Sequence, residues 1–467
     1  MNWKTIFRSF KSRDMLMRVL AVLGLIAVYR FLAHVPVPLA EPTQLKDVIQ
    51  QAIQSNSFGG FLNLLSGGAL VSFSIMLVGL SPYITASVIT QMLTKAIPRL
   101  EEMNKDGESG RRKINQWTRI IAFPLAIVQS VAYIFILRQS VLASSSTIAD
   151  MSMTQWVMSV TAMTAGAMML MWIGEIMTEK GLGNGITLLI VVGILSQIPQ
   201  TFMNMWAAMT NVKSDPFHVF NWFQIGWLNN TATWIAMGVV VAMVIILYLL
   251  VKINEGQRIL TINYAKRVHG NSQYGGVTSI LPIKLITAGV IPVIFAVAFL
   301  ALPAFVGQLM VASDWHKDIG QNLILWFQRN SSSVLTGWEA MIYPVTYFLL
   351  VILFTYFYTS IVFNSREIAE NLQNQGGFIA GVRPGRQTEE YLSKVVNRLT
   401  LFGSIALGII SVMPFIGEYI LIGAGMSTVA STLSLGGTGL LIIVTGALDC
   451  LRQINSRALM VTYDEYK

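Results

Sequence analysis

The chain has 467 residues, of which 54% are hydrophobic and only 12% charged, with a formal net charge of +9. A soluble domain of ordinary composition carries about a quarter charged residues, so water alone is not the solvent for which this chain is built. Cys450 is the single cysteine, which excludes an intramolecular disulfide and a cysteine-based metal centre.

A bilayer span needs about 20 predominantly apolar residues. Reading apolar runs against charged or Pro/Gly punctuation predicts ten spans, near 17–36, 75–98, 119–140, 153–177, 184–208, 232–252, 283–306, 340–363, 398–416 and 436–454. No cleavable signal pattern precedes the first run, so the start reads as retained. Between the first two spans, 58–74 is half apolar but too short and too rich in Gly and Ser to cross, and it reads as a re-entrant piece.

With a cytoplasmic N-terminus, all but six of the 32 lysines and arginines fall on the cytoplasmic side. The six are Arg30, Lys46, Arg138, Lys213, Lys317 and Arg329. This asymmetry supports both the span count and the orientation, with both termini cytoplasmic. Trp222, Phe223, Trp227, Trp315 and Trp326 lie in the opposite-side segments, where amphipathic rings settle at a membrane interface. Ten spans divide into five and five, 1–210 and 211–467, and an odd number per half inverts one half relative to the other. The fold class expected is therefore an all-α polytopic membrane protein of two inverted five-helix halves.

Intramembrane chemistry needs polar groups at depth, and few are present. Glu175 and Asp449 fall in the last turns of the fourth and tenth spans, where local pairing with a cation is expected rather than a proton relay. There is no G-x-x-x-x-G-K-[ST] phosphate loop. Gly181, Gly183 and Gly185 read as a tight turn between helices. The string Gly107-Glu108-Ser109-Gly110 is similar to the serine motif of intramembrane proteases. It sits in a charged loop, however, and His34, His218, His269 and His316 all fall at span ends or in loops, which disfavours that activity. A secondary transporter shares inverted halves and broken helices, but it needs midplane ligands that this chain scarcely offers. The two largest cytoplasmic loops, 253–282 and 364–397, mix cations with Tyr264, Tyr274, Phe378 and Tyr391, a composition suited to docking an acidic or RNA-containing partner.

The order and placement of several motifs resemble the SecY/Sec61-alpha family of protein-conducting channels over nearly the whole chain. The landmarks are Gly107 to Ile114, Gly181 to Ile186, Tyr264-Ala265-Lys266-Arg267, Ala288 to Pro292, Arg383-Pro384-Gly385 and Gly436-Gly437-Thr438. The resemblance implies a non-enzymatic channel, without cofactor, for unfolded secretory proteins. Its pore lies between the halves, narrowed by an aliphatic ring and stoppered by a short plug within 58–74. Plug residues would be Asn63, Leu64, Leu65, Ser66, Gly67 and Gly68. The ring would be Ile84 and Val88, Ile186 and Ile190, Ile294 and Ile442, each i, i+4 pair falling on one helix face. Spans 2, 3, 7 and 8 would form a lateral gate to lipid for signal sequences and transmembrane segments, with Gln91, Gln129 and Ile286 on it. At Ile286 the family often carries asparagine, so a closed gate would rest here more on apolar packing. Partners implied are the SecE and SecG subunits, the SecA ATPase and the ribosome, with Arg258, Lys266, Arg267, Arg383 and Arg386 as docking candidates.

Overall fold

The computed structural model describes residues 13–37, 74–142, 153–180, 183–199, 203, 217–219, 223–225, 231–264, 267–269, 272–274, 278–287, 289, 291–313, 316–327, 337–423 and 439–456. Contacts within the chain group it into two compact units. The first comprises Met1–Gly238, Val297–Tyr343 and Phe415–Lys467; the second comprises Val239–Ala296 and Pro344–Pro414.

In the first unit, α1 (Arg13–Leu32) buries only Met15, Val22 and Tyr29, one residue every two turns. Leu16, Leu20, Leu23 and Phe31 are exposed. A helix apolar on its uncovered faces as well as its packed one belongs in lipid. Polar ties fix both its ends, since Arg18 donates to the Lys180 carbonyl at 3.2 Å and Arg30 to Ser196 Oγ at 3.0 Å.

Next come α2 (Ser81–Ala96), α3 (Pro98–Lys105) and α4 (Glu108–Leu142). Proline opens α2 and α3 in the first turn, where no intrahelical N–H bond is lost. Gly107 supplies the left-handed φ of +76° that lets α4 start directly after α3. At 35 residues, α4 is about 50 Å long, well beyond the roughly 30 Å hydrocarbon core. Its polar N-terminal turns therefore stand outside the membrane. α5 (Met153–Lys180) and α6 (Gly185–Leu195) complete this bundle. Leu77 and Val78 pack with Ala126, Tyr133, Ile134, Met163 and Ala167. Further along, Ala86, Ala122 and Met171 pack with Tyr83, Ile121, Leu125 and Met168.

After the short hairpin β1 (Phe217–Val219) and β2 (Phe223–Ile225), α7 (Thr231–Glu255) runs into the second unit. There β3 (Gln257–Tyr264), β6 (Thr278–Lys284) and β7 (Gly377–Ile379) form an antiparallel sheet in the order β6-β3-β7. β4 (Arg267–His269) and β5 (Ser272–Tyr274) pair at the far end of the hairpin. Pro282 is tolerated because β6 is an edge strand. The span expected from 283 therefore starts later, with α8 (Ile291–Ala312). Of the residues that open that run, Ile283 and Lys284 end the strand and Leu285 to Thr287 follow it outside any helix, and Pro292 sets the helix start beyond them. The apolar elements are helical as expected, and the loops between them hold this sheet.

α9 (Lys317–Phe327) precedes a 3₁₀ turn at Gly337–Met341 and α10 (Ile342–Val362). α11 (Ser365–Asn374) starts at an N-cap, Asn364, whose Oδ1 accepts from Glu367 N at 3.4 Å. α12 (Arg386–Gly423) has 38 residues, and α13 covers 439–456. The first part of α12 buries Leu392, Val395 and Val396 against Leu260, Ile283 and Ile379 of the sheet. Among the described residues, six helices are long and apolar enough to cross a membrane: Arg13–Leu32, Arg112–Ile134, Met153–Lys180, Ile291–Val311, Trp338–Asn374 and Arg386–Tyr419.

Candidate functional site

Ile84 and Val88 share one face of α2 and are each 6% exposed. The helix turns Tyr83 and Ala86 to α4 and α5, roughly opposite to Ile84 and Val88 at about 100° per residue. Both aliphatic side chains are therefore covered on a face that the α4–α5 cluster does not supply.

α6 is set by its own turn. Asn184 Oδ1 accepts from Ile186 N at 3.1 Å, and Gly185 N donates to Thr178 Oγ1 at 2.8 Å. A Cβ at Gly185 would strike the Gly174 carbonyl oxygen, so α5 and α6 meet backbone to backbone. Gly181 and Leu182 of this turn lie outside the described residues. α13 runs antiparallel to α6, with Cys450 beside Gly183 and Gly446 beside Thr187 and Val191. Ile190 (2% exposed) lies at the level of Gly446, and Ile442 (5%) about one turn beyond it. Ile186 is half-buried. Ile294, on α8, is buried within the second unit. All the ring candidates on described helices are thus aliphatic and covered to some degree, and none carries a group that could hold a polar ligand. Plug candidates Asn63 to Gly68 lie outside the described residues.

Of the gate candidates, Gln129 is buried and Gln91 half-buried. Gln91 donates within its own helix to Ser87 Oγ at 3.0 Å. The Oε1 atoms of Gln91 and Gln129 are both buried with no hydrogen-bond partner. From the Ala86–Ala122 contact of this antiparallel pair, the two glutamines lie roughly 20 Å apart along it, so they do not bond each other. Ile286 is buried, beside Gly403 of α12.

The carboxylates sit where local pairing was expected. Glu175 meets Arg119 in a fork, Nε to Oε1 at 2.8 Å and Nη2 to Oε2 at 2.7 Å, and Asp449 lies 3.3 Å from Arg452. Sequence reasoning missed Glu418, which is buried at 2% on α12. The span expected at 398–416 stops short of it, although the apolar run continues to Ile422. Ser109 is exposed, with its hydroxyl near the Asp106 carbonyl at 3.4 Å. It faces no histidine described here.

Among the docking candidates, Arg258 lies on β3 opposite Ile283 and is exposed. Arg383 is exposed in the turn before α12, where Thr388 Oγ1 donates to its carbonyl at 2.8 Å and Gly385 adopts φ +95°. Arg386 is 90% exposed and 3.5 Å from Glu390. Arg267 takes its place in β4 by backbone pairing to Tyr274, and Lys266 lies outside the described residues.

A family model described as SecY matches residues 74–451. The chain belongs to the SecY family. Curated relatives named protein translocase subunit SecY are 36% identical in Streptomyces galbus and 37% in Corynebacterium glutamicum, each over 98% of this chain and 98% of the relative. The relative of that name in Mycobacterium tuberculosis is 37% identical over the same shares. Solved structures share the fold at low identity. One described as the structure of a protein conducting channel superposes with a TM-score of 0.58 at 15% identity, covering 93% of this chain and 91% of that one. Sec61 from a canine ribosome-channel complex gives 0.54 at 14%, with the same coverage. As a member of the SecY family the chain is a multi-pass membrane protein and a protein-conducting channel subunit, not an enzyme.

Proposed function

We propose that this chain is the channel that moves unfolded secretory proteins across the cytoplasmic membrane and releases transmembrane segments sideways into it. The match over 74–451 carries this reading, because it runs from the second span to the tenth and includes every ring and docking candidate. The chain forms ten spans in two inverted halves, 1–210 and 211–467, with both termini cytoplasmic. Ile84, Val88, Ile186, Ile190, Ile294 and Ile442 close the pore as a dry aliphatic collar, which excludes water and ions yet gives a passing chain nothing to bind. A plug within 58–74 stoppers it, and spans 2, 3, 7 and 8 part laterally at a seam that includes Gln91, Gln129 and Ile286.

The energy source is external, either the SecA ATPase or a translating ribosome. Either docks on the cytosolic sheet and the turn before α12 through Arg258, Lys266, Arg267, Arg383 and Arg386. SecE and SecG complete the complex. Purified chain reconstituted with SecE and SecG into vesicles, then given SecA, ATP and a preprotein, tests this directly. Preprotein becoming protease-protected only with ATP is the expected result; protection that never appears, in vesicles that accumulate a small solute instead, contradicts it.

A further inference from the structure

α9 doubles back on the span it follows. The backbone turns at His316, a non-glycine residue with φ +47°, and α9 then packs on the last two turns of α8. A Cβ on Gly320 would lie 2.8 Å from the Gly307 carbonyl oxygen, and one on Gly307 would lie 3.0 Å from Leu323 Cβ and 3.1 Å from Ile324 Cγ1. The two glycines let the helices touch along their backbones. Gly307 lies five residues before the end of α8, about 7 Å along the axis. Residues 323–327, Leu-Ile-Leu-Trp-Phe, therefore run back alongside α8 rather than away from it.

The apolar sector of α9 is wider than its contact with α8. Gly320, Leu323, Ile324 and Phe327 lie on the contact face by helical period, whereas Ile319 and Trp326, seven apart, form one flank. Lys317 and Gln321 form the other, and Asp318 and Asn322 the back, which also carries Leu325. Ile319 is 53% exposed. We propose that this flank is a lipid contact: α9 lies in the leaflet at the C-terminal end of α8, with Ile319 and Trp326 among acyl chains and Asp318, Gln321 and Asn322 facing water. Continuity with α8 supplies the argument for lipid as the occupant. The flank lies beside a segment, Ile291–Val311, that is long and apolar enough to cross a membrane, and an aromatic ring in that position suits the interface.

The test exploits the lone cysteine. In a Cys450→Ser background, Ile319→Cys and Gln321→Cys are labelled with an environment-sensitive fluorophore, and the full chain is placed in phosphatidylcholine–phosphatidylglycerol nanodiscs. At 319, iodide quenching is expected to be at least threefold weaker than at 321, and quenching by lipid carrying an acyl-chain nitroxide at least twofold stronger. Trp326→Cys, deeper on the same flank, repeats the measurement and is expected to favour a nitroxide nearer the chain end. Equal iodide access at 319 and 321 overturns the proposal. So does shielding at 319 without nitroxide quenching, since protein and not lipid would then cover the flank.

Discussion

The Arg119–Glu175 fork joins α4 to α5 with Glu175 only 15% exposed and Arg119 42%. Removing the guanidinium strands a mostly buried carboxylate, while solvent at Arg119 screens part of the loss. Arg119→Ala is expected to cost about 1–2 kcal/mol, and Glu175→Gln in the same background to recover part of it, because the stranded charge is then gone. A double-mutant cycle on detergent-solubilised protein reads the coupling; two effects that simply add would contradict a working pair. Glycines give a second contrast at this scale. Gly185→Ala drives a methyl into the Gly174 backbone, which cannot yield as a side-chain tip can, and about 1–3 kcal/mol of destabilisation is expected. Gly238→Ala, with nothing within 4 Å of the new Cβ, should be neutral or stabilising by up to about 1 kcal/mol. Melting temperatures of the two variants test the pair together.

The second unit's sheet and the start of α12 hold one another. Leu392 is fully buried between them, so Leu392→Ala should cost about 3 kcal/mol. Amide exchange in β3 should then quicken by about a hundredfold if that loss falls on local opening. Arg383 stands exposed beside this assembly and supports none of its packing, so Arg383→Ala should lower SecA-driven translocation at least about fivefold while leaving the melting temperature within about 1 °C. An equal fall in both would make the residue structural. These elements also mark where the sequence was legible. Long apolar runs bounded by charge showed the helical spans plainly. Thr278–Lys284 does not read as a strand because Pro282 interrupts it: its first part falls in the polar loop 253–282, and Ile283 joins the apolar run that follows. The N-terminal part of α12 reads as loop because it is polar on average, although Leu392, Val395, Val396 and Leu399 recur at helical spacing. The aliphatic ring is proposed only by likeness to a family, since an isoleucine in a span is packing by default and composition says nothing about what it encloses.

At the scale of the molecule, lipid, water and a translocating chain each require a different surface from one polypeptide. α7 shows the lipid-facing kind, with Trp234, Val241, Val244 and Ile245 all exposed. The proposed topology puts Arg383 and Lys317 on opposite sides, so a membrane-impermeant thiol reagent should label Arg383→Cys and Lys317→Cys, each in a Cys450→Ser background, from opposite faces of sealed vesicles. Labelling of both from one face would overturn the assigned sidedness. The central claim is that Ile186 and Ile442 face a passing polypeptide. A photo-crosslinking residue at either position, with Ile245 as the lipid-facing control, and a secretory chain stalled in transit address it most directly. The account predicts strong adducts at 186 and 442, dependent on SecA and ATP, and none at 245; adducts absent from 186 and 442, or equally frequent at 245, would contradict it.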